Sequence, residues 1–163
     1  MDIKGSKPVE VRRTSGEDIP KLAAYKVDQL NEIYEHPDDD EARDLKDRIR
    51  KFLSKHLDEG DMFCYIAISS GKIVGSACLM IRDSQPVYDL FDRGKLGYVM
   101  NIHTSEEYRG LGITNQLVQR IIDSAREAGI EYIHVHCSED MTRFYSKLGF
   151  SEVTAREMKL VLN

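Results

Sequence analysis

The sequence predicts an α/β or α+β domain built on one sheet that contains at least one parallel strand pair. Two observations lead to this class. Strand-like apolar runs fill the middle of the chain, from residue 62 to residue 104, and helical patterns alternate with strand patterns after them. A strand–helix–strand order implies a parallel crossover. The 163 residues are the length of one domain, and we expect a polar lead-in at residues 1–8 and a single domain at residues 9–163.

Composition and charge exclude several classes of protein. The chain carries 23 basic and 28 acidic residues, a net charge of −5, so it offers no broad positive surface for nucleic acid or an anionic membrane. No apolar run approaches the ~18 residues that span a bilayer. We therefore expect neither nucleic acid nor a membrane among its partners.

The three cysteines bear on the cellular compartment. Cys64, Cys78 and Cys137 cannot all pair within one chain, and none belongs to a CxxC motif. We expect reduced thiols, a cytoplasmic protein and no bound metal. Cys137 follows His136, a pair that also suits a nucleophilic thiol. Its place in a predicted buried strand favours a small core residue instead.

The first 60 residues predict one strand and two helices. Residues 9–13 alternate as a short strand does, and the polar residues 14–18 are typical of a helix start. Apolar residues then recur at helical spacing up to Tyr34, and Pro37 ends this helix. The acidic residues 38–41 open a second helix, where carboxylates favour the helix dipole. The alternative, an acidic rim that attracts a cationic substrate, stays open.

The rest of the chain predicts further strands and helices. Residues 62–68, 73–81 and 96–104 are strand-like, and Gly75 indicates a bulge or the close approach of another backbone. A glycine-containing turn then leads into a long helix. A strand at residues 132–136, a short helix and strand material at residues 152–162 complete the pattern.

The glycine-containing turn, residues 109–112 (RGLG), is the first candidate site. Such a turn between strand and helix directs backbone N–H groups and the positive end of the helix dipole at one point, which suits a phosphate or pyrophosphate. A tight turn with no ligand explains the same pattern. The P-loop GxxxxGK[ST] is absent, and Asn115 stands where GxGxxG requires its third glycine.

Residues 144–150 (FYSKLGF) form the second candidate site. Phe144 and Leu148 lie four apart on a predicted helix and should face the core. Tyr145 lies on an adjacent face. It is either a packed aromatic with a solvated hydroxyl or a phenol that donates a proton.

Together these segments resemble the GNAT superfamily of acetyl-CoA-dependent N-acetyltransferases. The family's acyl-CoA loop reads Q/R-x-x-G-x-G/A, which Arg109 and Gly112 match, while Thr114 stands where the family prefers Gly or Ala. The later Y-x-K-L-G-F signature is complete at residues 145–150. The tripeptide at residues 136–138 (HCS) is similar to an H-A-S variant of the family.

The resemblance implies a fold, a co-substrate and a site. The fold is a central mixed, twisted sheet flanked by helices, with two parallel strands splayed apart, here residues 96–104 and 132–137. Acetyl-CoA lies between them and acetylates a small-molecule amine; a homodimer is compatible with this picture. Tyr145 is the implied general acid to the CoA thiolate. The residues implied to bind acetyl-CoA are Ile102, His103, Thr104, Arg109, Gly110, Leu111, Gly112, Ile113, Thr114 and Ser138.

The proton acceptor and the amine stay open at this level. His103 and His136 titrate near neutrality, and Glu32 and Glu157 could act through water. The amine could also arrive neutral, and the acidic surface suits a cationic one. Two other functions are compatible with the sequence: a non-catalytic acyl-CoA-binding module, and an enzyme that acetylates protein lysines or N-termini.

Overall fold

The computed structural model describes residues 8–34, 38–85, 94–153 and 158–162. Most of the predicted lead-in, Pro37 and Glu157 lie outside these residues. None of the helices within these ranges is long and apolar enough to cross a membrane. The elements in chain order are β1 (Glu10–Arg13), α1 (Ile19–Ile33), α2 (Asp39–Glu59), β2 (Met62–Ser69), β3 (Lys72–Asp83), β4 (Lys95–Thr104), α3 (Ile113–Glu127), β5 (Tyr132–Val135) and α4 (Glu139–Lys147).

The five strands form one mixed sheet in the order β1-β2-β3-β4-β5. Neighbouring strands are antiparallel except β4 and β5, which are parallel and are joined through α3. The predicted mixed sheet with a parallel crossover is therefore confirmed.

Helices cover both faces of the sheet. α3 packs on one face, where Leu117 is fully buried, and α4 joins it through the contact of Tyr145 with Val118. α1 and α2 pack on the other face through Leu22 and Leu53. Alternate residues of β2 serve the two clusters, as the two-residue period of a strand requires.

Side-chain hydrogen bonds hold the short turn before α1 and cap the start of α2. The Asp18 carboxylate accepts two hydrogen bonds of 2.7 Å from the Arg12 guanidinium, and it also accepts from the Ser15 N–H and hydroxyl at 2.8 and 2.9 Å. The Arg12 hydrogen bonds, followed by those from Ser15, hold the pKa of Asp18 far below its usual range. At α2 the Asp38 carboxylate accepts from the N–H groups of Asp40 and Glu41, which confirms a capping role within the acidic run.

Gly75 lies where α3 approaches the sheet most closely. A Cβ at this position would come within 3.1 Å of Leu117 and 3.2 Å of Ile113. The pairing of β2 with β3 also shifts register between Ala67 and Ile68, opposite this stretch. The expected bulge is confirmed beside this glycine, whereas the close approach is made by side chains and not by another backbone.

The cysteines correct the prediction that every thiol is reduced. Cys64 and Cys78 lie opposite each other on β2 and β3, with Cα atoms 4.0 Å apart, and are joined in a disulfide. Their pairing depends on the register of two strands, which sequence spacing does not reveal. Cys137 is the free thiol, and it is exposed after the end of β5 instead of buried in a strand as predicted.

The predicted last strand is also corrected. Residues 152–153 and 158–162, its described part, lie in no helix or strand. Met158 and Leu162 are 93% and 84% exposed. A strand needs a hydrogen-bonded neighbour. Within the described ranges, β5 pairs only with β4 and gives this segment no partner.

Candidate active site

A gap opens where the two parallel strands separate. β4 and β5 pair from Leu96 with Tyr132 to Val99 with Val135. β5 then ends, whereas β4 continues to Thr104. His136 and Cys137, at the end of the predicted strand, lie outside β5. The end of β4 therefore has no strand partner on the β5 side.

A bulge in β4 directs side chains into the gap. Asn101 has a φ of +56°, and the register with β3 shifts around it. The Ser76 hydroxyl donates to the Asn101 carbonyl at 2.9 Å and holds the bulge. Beyond it Ile102 packs towards α4, while His103 contacts Tyr25 of α1. The sequence did not predict this bulge, because asparagine is not a typical bulge residue.

The gap is the floor of a cleft with a volume of about 680 Å³. Most of the predicted site residues come together here, and the exceptions are Gly110, Leu111, Gly112 and Ile113, which form the adjoining turn and do not line it. The cleft is lined by Lys26, Gln29, residues 98–104, Arg109, Thr114, residues 135–138, Met141 and Tyr145.

The adjoining turn presents backbone N–H groups. Gly110 and Gly112 have φ values of +78° and +75°, a left-handed conformation that residues with a side chain rarely adopt. α3 begins directly after Gly112 without a side-chain cap. Its first N–H groups therefore have no partner within the helix and are available to an anion.

Thr114 and Arg109 attach this turn to the end of β4. The Thr114 hydroxyl is 2.9 Å from the Thr104 hydroxyl, and the Arg109 Nε donates to the Thr104 carbonyl at 3.1 Å. The hydroxyl of Thr114 is thus engaged within the protein. The guanidinium of Arg109 also lies 3.8 Å from the carboxylate of Glu32 on α1.

Tyr145 is buried except where it borders the cleft. Its ring packs edge-on against Phe144 and Phe150, and only 4% of the residue is exposed. Burial, followed by the nearby Cys137, raises the pKa of Tyr145 to about 12. The hydroxyl therefore keeps its proton at neutral pH, as a general acid requires.

His103 is the centre of a hydrogen-bonded group on the α1 side. Its Nδ1 lies 2.8 Å from the Tyr25 hydroxyl and its Nε2 lies 3.2 Å from the Glu32 carboxylate. The Tyr25 hydroxyl is also 3.2 Å from the Ser105 hydroxyl. Burial is the main cause that lowers the pKa of His103; Glu32 opposes the shift, and Arg109 adds to it.

His136 also borders the cleft, in an exposed position after β5. Its Nδ1 lies 2.9 Å from the Tyr98 hydroxyl, and the two rings pack edge-on. The two histidines that the sequence singled out as proton acceptors thus line the same cleft. Glu32 is the hydrogen-bond partner of the His103 Nε2.

Sequence reasoning missed the cleft residues of α1. Lys26 and Gln29 lie four and seven residues after the buried Leu22, a spacing that places all three on one helix face. Polar side chains at helix positions whose spacing predicts burial could have indicated that this face borders a cleft.

A separate cluster lies outside the cleft. His56, Glu59 and Asp61 form the only group of metal-ligating type that the described ranges contain. The His56 Nδ1 is 3.0 Å from both Asp61 oxygens, at the end of α2. A hydrogen bond between the two side chains accounts for the arrangement.

Comparison with known proteins shows the family to which this sequence is similar. The model of the acetyltransferase (GNAT) family matches residues 24–150. A glucosamine 6-phosphate N-acetyltransferase of Trypanosoma brucei brucei is 34% identical over 103 residues, which cover 62% of this chain and 64% of the relative. An N-alpha-acetyltransferase of Sulfurisphaera tokodaii is 32% identical over 107 residues, 63% of this chain and 64% of the relative.

The fold has close structural counterparts. The crystal structure of a predicted acetyltransferase with acetyl-CoA from Clostridium acetobutylicum superimposes with a TM-score of 0.79 at 24% identity, over 96% of each chain. At this identity the likeness concerns the fold. Since the family model spans most of the sequence, including the glycine turn and the Tyr145 signature, the chain belongs to the GNAT family of acetyltransferases.

Proposed function

We propose that this protein transfers an acetyl group from acetyl-CoA to the primary amine of a small molecule. The observation that carries the proposal is the cleft between the ends of β4 and β5, which holds a protonated, buried phenol and adjoins a turn of available N–H groups. Family membership supports it.

Acetyl-CoA would lie along the open end of β4. The backbone groups of Ile102, His103 and Thr104 would pair with the pantetheine arm, because β5 leaves them without a strand partner on that side. The N–H groups of residues 110–114 would bind the pyrophosphate, since the N–H of Arg109 donates to the Glu106 carbonyl at 3.1 Å. Ser138 borders the same cleft at the start of α4 and would complete the site.

The reaction would proceed by direct attack within a ternary complex. The neutral amine attacks the thioester carbonyl, whose developing negative charge a preorganised backbone N–H stabilises. The C–S bond of the tetrahedral intermediate then breaks, and the departing thiolate takes the proton of Tyr145. The attacking nitrogen gives up its excess proton to solvent as the amide forms, and Tyr145 regains a proton from solvent before the next cycle.

The ammonium proton of the acceptor must leave before the attack. His103 and His136 both border the cleft, and the lowered pKa of His103 keeps its imidazole neutral at physiological pH. His103 nevertheless uses both ring nitrogens in hydrogen bonds to Tyr25 and Glu32. If His103 accepted the ammonium proton, one of these hydrogen bonds would have to rearrange. Transfer of that proton to water needs no such rearrangement.

The acceptor is proposed as a small amine, with a peptide N-terminus as the second candidate. Relatives named for glucosamine 6-phosphate support the first, and those named for N-alpha-acetylation support the second. The matched segments cover 64% of these two relatives, so their substrates are candidates only.

Thiol release from acetyl-CoA tests the proposal. The panel contains glucosamine and its 6-phosphate, an aminoglycoside, a polyamine, amino acids with their amides, and peptides with a free N-terminus or lysine. We expect release with a small amine, and mass spectrometry should show the acetylated product. Tight binding of acetyl-CoA without release on any amine would instead favour a non-catalytic acyl-CoA-binding module.

A further inference from the structure

Lys26 places a half-buried ammonium group in the wall of the cleft. Its Nζ donates to the Oε1 of Gln29 at 2.9 Å, and Gln29 is itself buried. In the described part of the chain, no carboxylate lies within ion-pair distance of Lys26. Burial lowers its pKa, and no nearby charge opposes that shift. A desolvated cation with one neutral partner is costly unless a ligand supplies the missing charge.

The cleft has the opposite charge to the protein as a whole. The chain has a net charge of −5, yet the described residues that line the cleft include Lys26 and Arg109 and no carboxylate. Glu32 stands nearby, but it is already shared between His103 and Arg109. An anion that enters on this side therefore meets a cation without a carboxylate beside it.

Lys26 and the N–H groups of the glycine turn lie on different elements, although Arg109 of that turn comes within 3.8 Å of Glu32 on α1. That turn leads into α3, which packs on one face of the sheet, whereas α1 packs on the other face together with Tyr98 and Met100 of β4. Lys26 belongs to α1, across the gap from the proposed pyrophosphate site. Gln29 accepts from Lys26 through its carbonyl, so its amide N–H groups remain donors for the same ligand.

We propose that Lys26, with Gln29 beside it, binds an anionic group of the amine acceptor, either a phosphate ester or a carboxylate. This inference rests on the acetyl transfer proposed above. The acceptor would then carry an amine and an anion in one molecule. A polyamine, which has only positive charges, would be a poor substrate despite the acidic composition of the chain.

Matched pairs of amines and variants of Lys26 test the inference. Glucosamine 6-phosphate is compared with glucosamine, and an amino acid with its amide. Lys26→Met should lower kcat/KM for the preferred anionic amine by about 10- to 100-fold, mainly through KM, since it removes a charge-assisted hydrogen bond. The kcat/KM for the neutral amine of the same pair should change by less than about threefold. Lys26→Arg should restore much of the loss, and Lys21→Met, on an exposed position of α1, is the matched control.

Several outcomes would overturn it. One is a wild-type preference for neutral or cationic amines, and another is an equal loss by Lys26→Met on both members of a pair. If Lys26→Met raises the KM of acetyl-CoA and leaves the acceptor pairs unchanged, the ammonium serves the donor instead. Each of these results leaves acetyl transfer itself intact.

A binding measurement keeps the inference testable if no amine is acetylated. Inorganic phosphate is titrated onto protein saturated with CoA, which occupies the donor site, and heat or fluorescence is recorded. Wild type and Lys21→Met should bind phosphate, and Lys26→Met should bind it at least about tenfold more weakly. Equal binding by all three proteins would refute the role of Lys26, and no binding by the wild type would refute a phosphate as the group that it binds.

Discussion

The two ends of the cleft are built by different means. At the glycine turn the groups that face a ligand are backbone N–H groups, held by two left-handed glycines and by an uncapped helix. On the α1 side the groups are side chains: the ammonium of Lys26 and the hydrogen-bonded group around His103. One end is specified by chain conformation and the other by residue identity.

This difference separates what members of a family can share from what they can vary. A pyrophosphate bound by backbone groups tolerates many side chains, provided that glycine permits the turn. A wall of helix side chains can change its charge through single substitutions and leave the fold intact. We therefore expect donor recognition to depend on backbone geometry and acceptor choice to depend on α1.

Tyr145 borders the cleft between these two ends, and its loss should have the largest effect. Tyr145→Phe removes the proposed proton donor to the thiolate and should lower kcat by about 10²- to 10⁴-fold. CoA affinity and the melting temperature should change little, because the ring keeps its packing. Steady-state kinetics with saturating substrates and calorimetric CoA binding measure the two effects. A wild-type kcat in the variant contradicts the role.

The pH profile gives a second measurement on Tyr145. Because the pKa of Tyr145 is raised to about 12, the hydroxyl stays protonated across the range in which the protein is assayed. Below about pH 11 the wild-type rate should not fall through loss of the Tyr145 proton, so wild type and Tyr145→Phe should show the same alkaline behaviour. An alkaline limb near pH 8 that disappears in the variant would contradict the buried, protonated phenol.

Asp18 supports the α1 wall, and its replacement should give the next largest effect. Asp18→Asn breaks the pair with Arg12 and should lower the free energy of unfolding by about 2 kcal/mol; the loss is moderate because Arg12 is 37% exposed. Denaturant unfolding measures it. Asp44→Asn, which breaks an exposed pair with Arg48 on α2, is the control and should cost less than about 0.5 kcal/mol.

The pH dependence of this effect has a definite sign. The folded-state pKa of Asp18 lies below its unfolded value of about 3.9, so the stabilisation is complete above that value and is lost as the pH falls below it. The stability difference between wild type and Asp18→Asn should therefore shrink on acidification below about pH 4. If the stability difference persists unchanged to pH 2, it arises from packing and not from the charge of Asp18.

Gly112 tests the backbone end. Gly112→Ala meets no atom within 4 Å of the new Cβ, so its cost arises from the φ of +75° alone. A left-handed residue with a side chain costs about 1–2 kcal/mol, and we expect CoA affinity to fall about tenfold. Calorimetric titration of CoA measures it. Gly16→Ala, at a glycine with an equally open Cβ position and no positive φ, should leave the affinity unchanged.

The sequence predicted the backbone end of the site better than the side-chain end. Arg109 and Gly112 at the backbone end, and Tyr145 between the two ends, belong to contiguous motifs that resemble those of the family, so they could be assigned without tertiary information. Lys26 reaches the cleft only because α1 packs across β4, a tertiary relation that helical spacing does not contain. The Asn101 bulge and the Cys64–Cys78 disulfide likewise depend on strand register, which one sequence does not reveal.

Thr114 gives the smallest expected effect and the closest test of the contrast. Its hydroxyl already meets Thr104 at 2.9 Å, so Thr114→Ala should lower the free energy of unfolding by about 1 kcal/mol and change CoA affinity by less than about threefold. Thr114→Ser keeps the hydroxyl and is the control. A tenfold gain in affinity would mean that the threonine crowds the pyrophosphate, and a tenfold loss that its hydroxyl binds it. Either result would make the donor end depend on a side chain, as the α1 end does, and would remove the distinction between them.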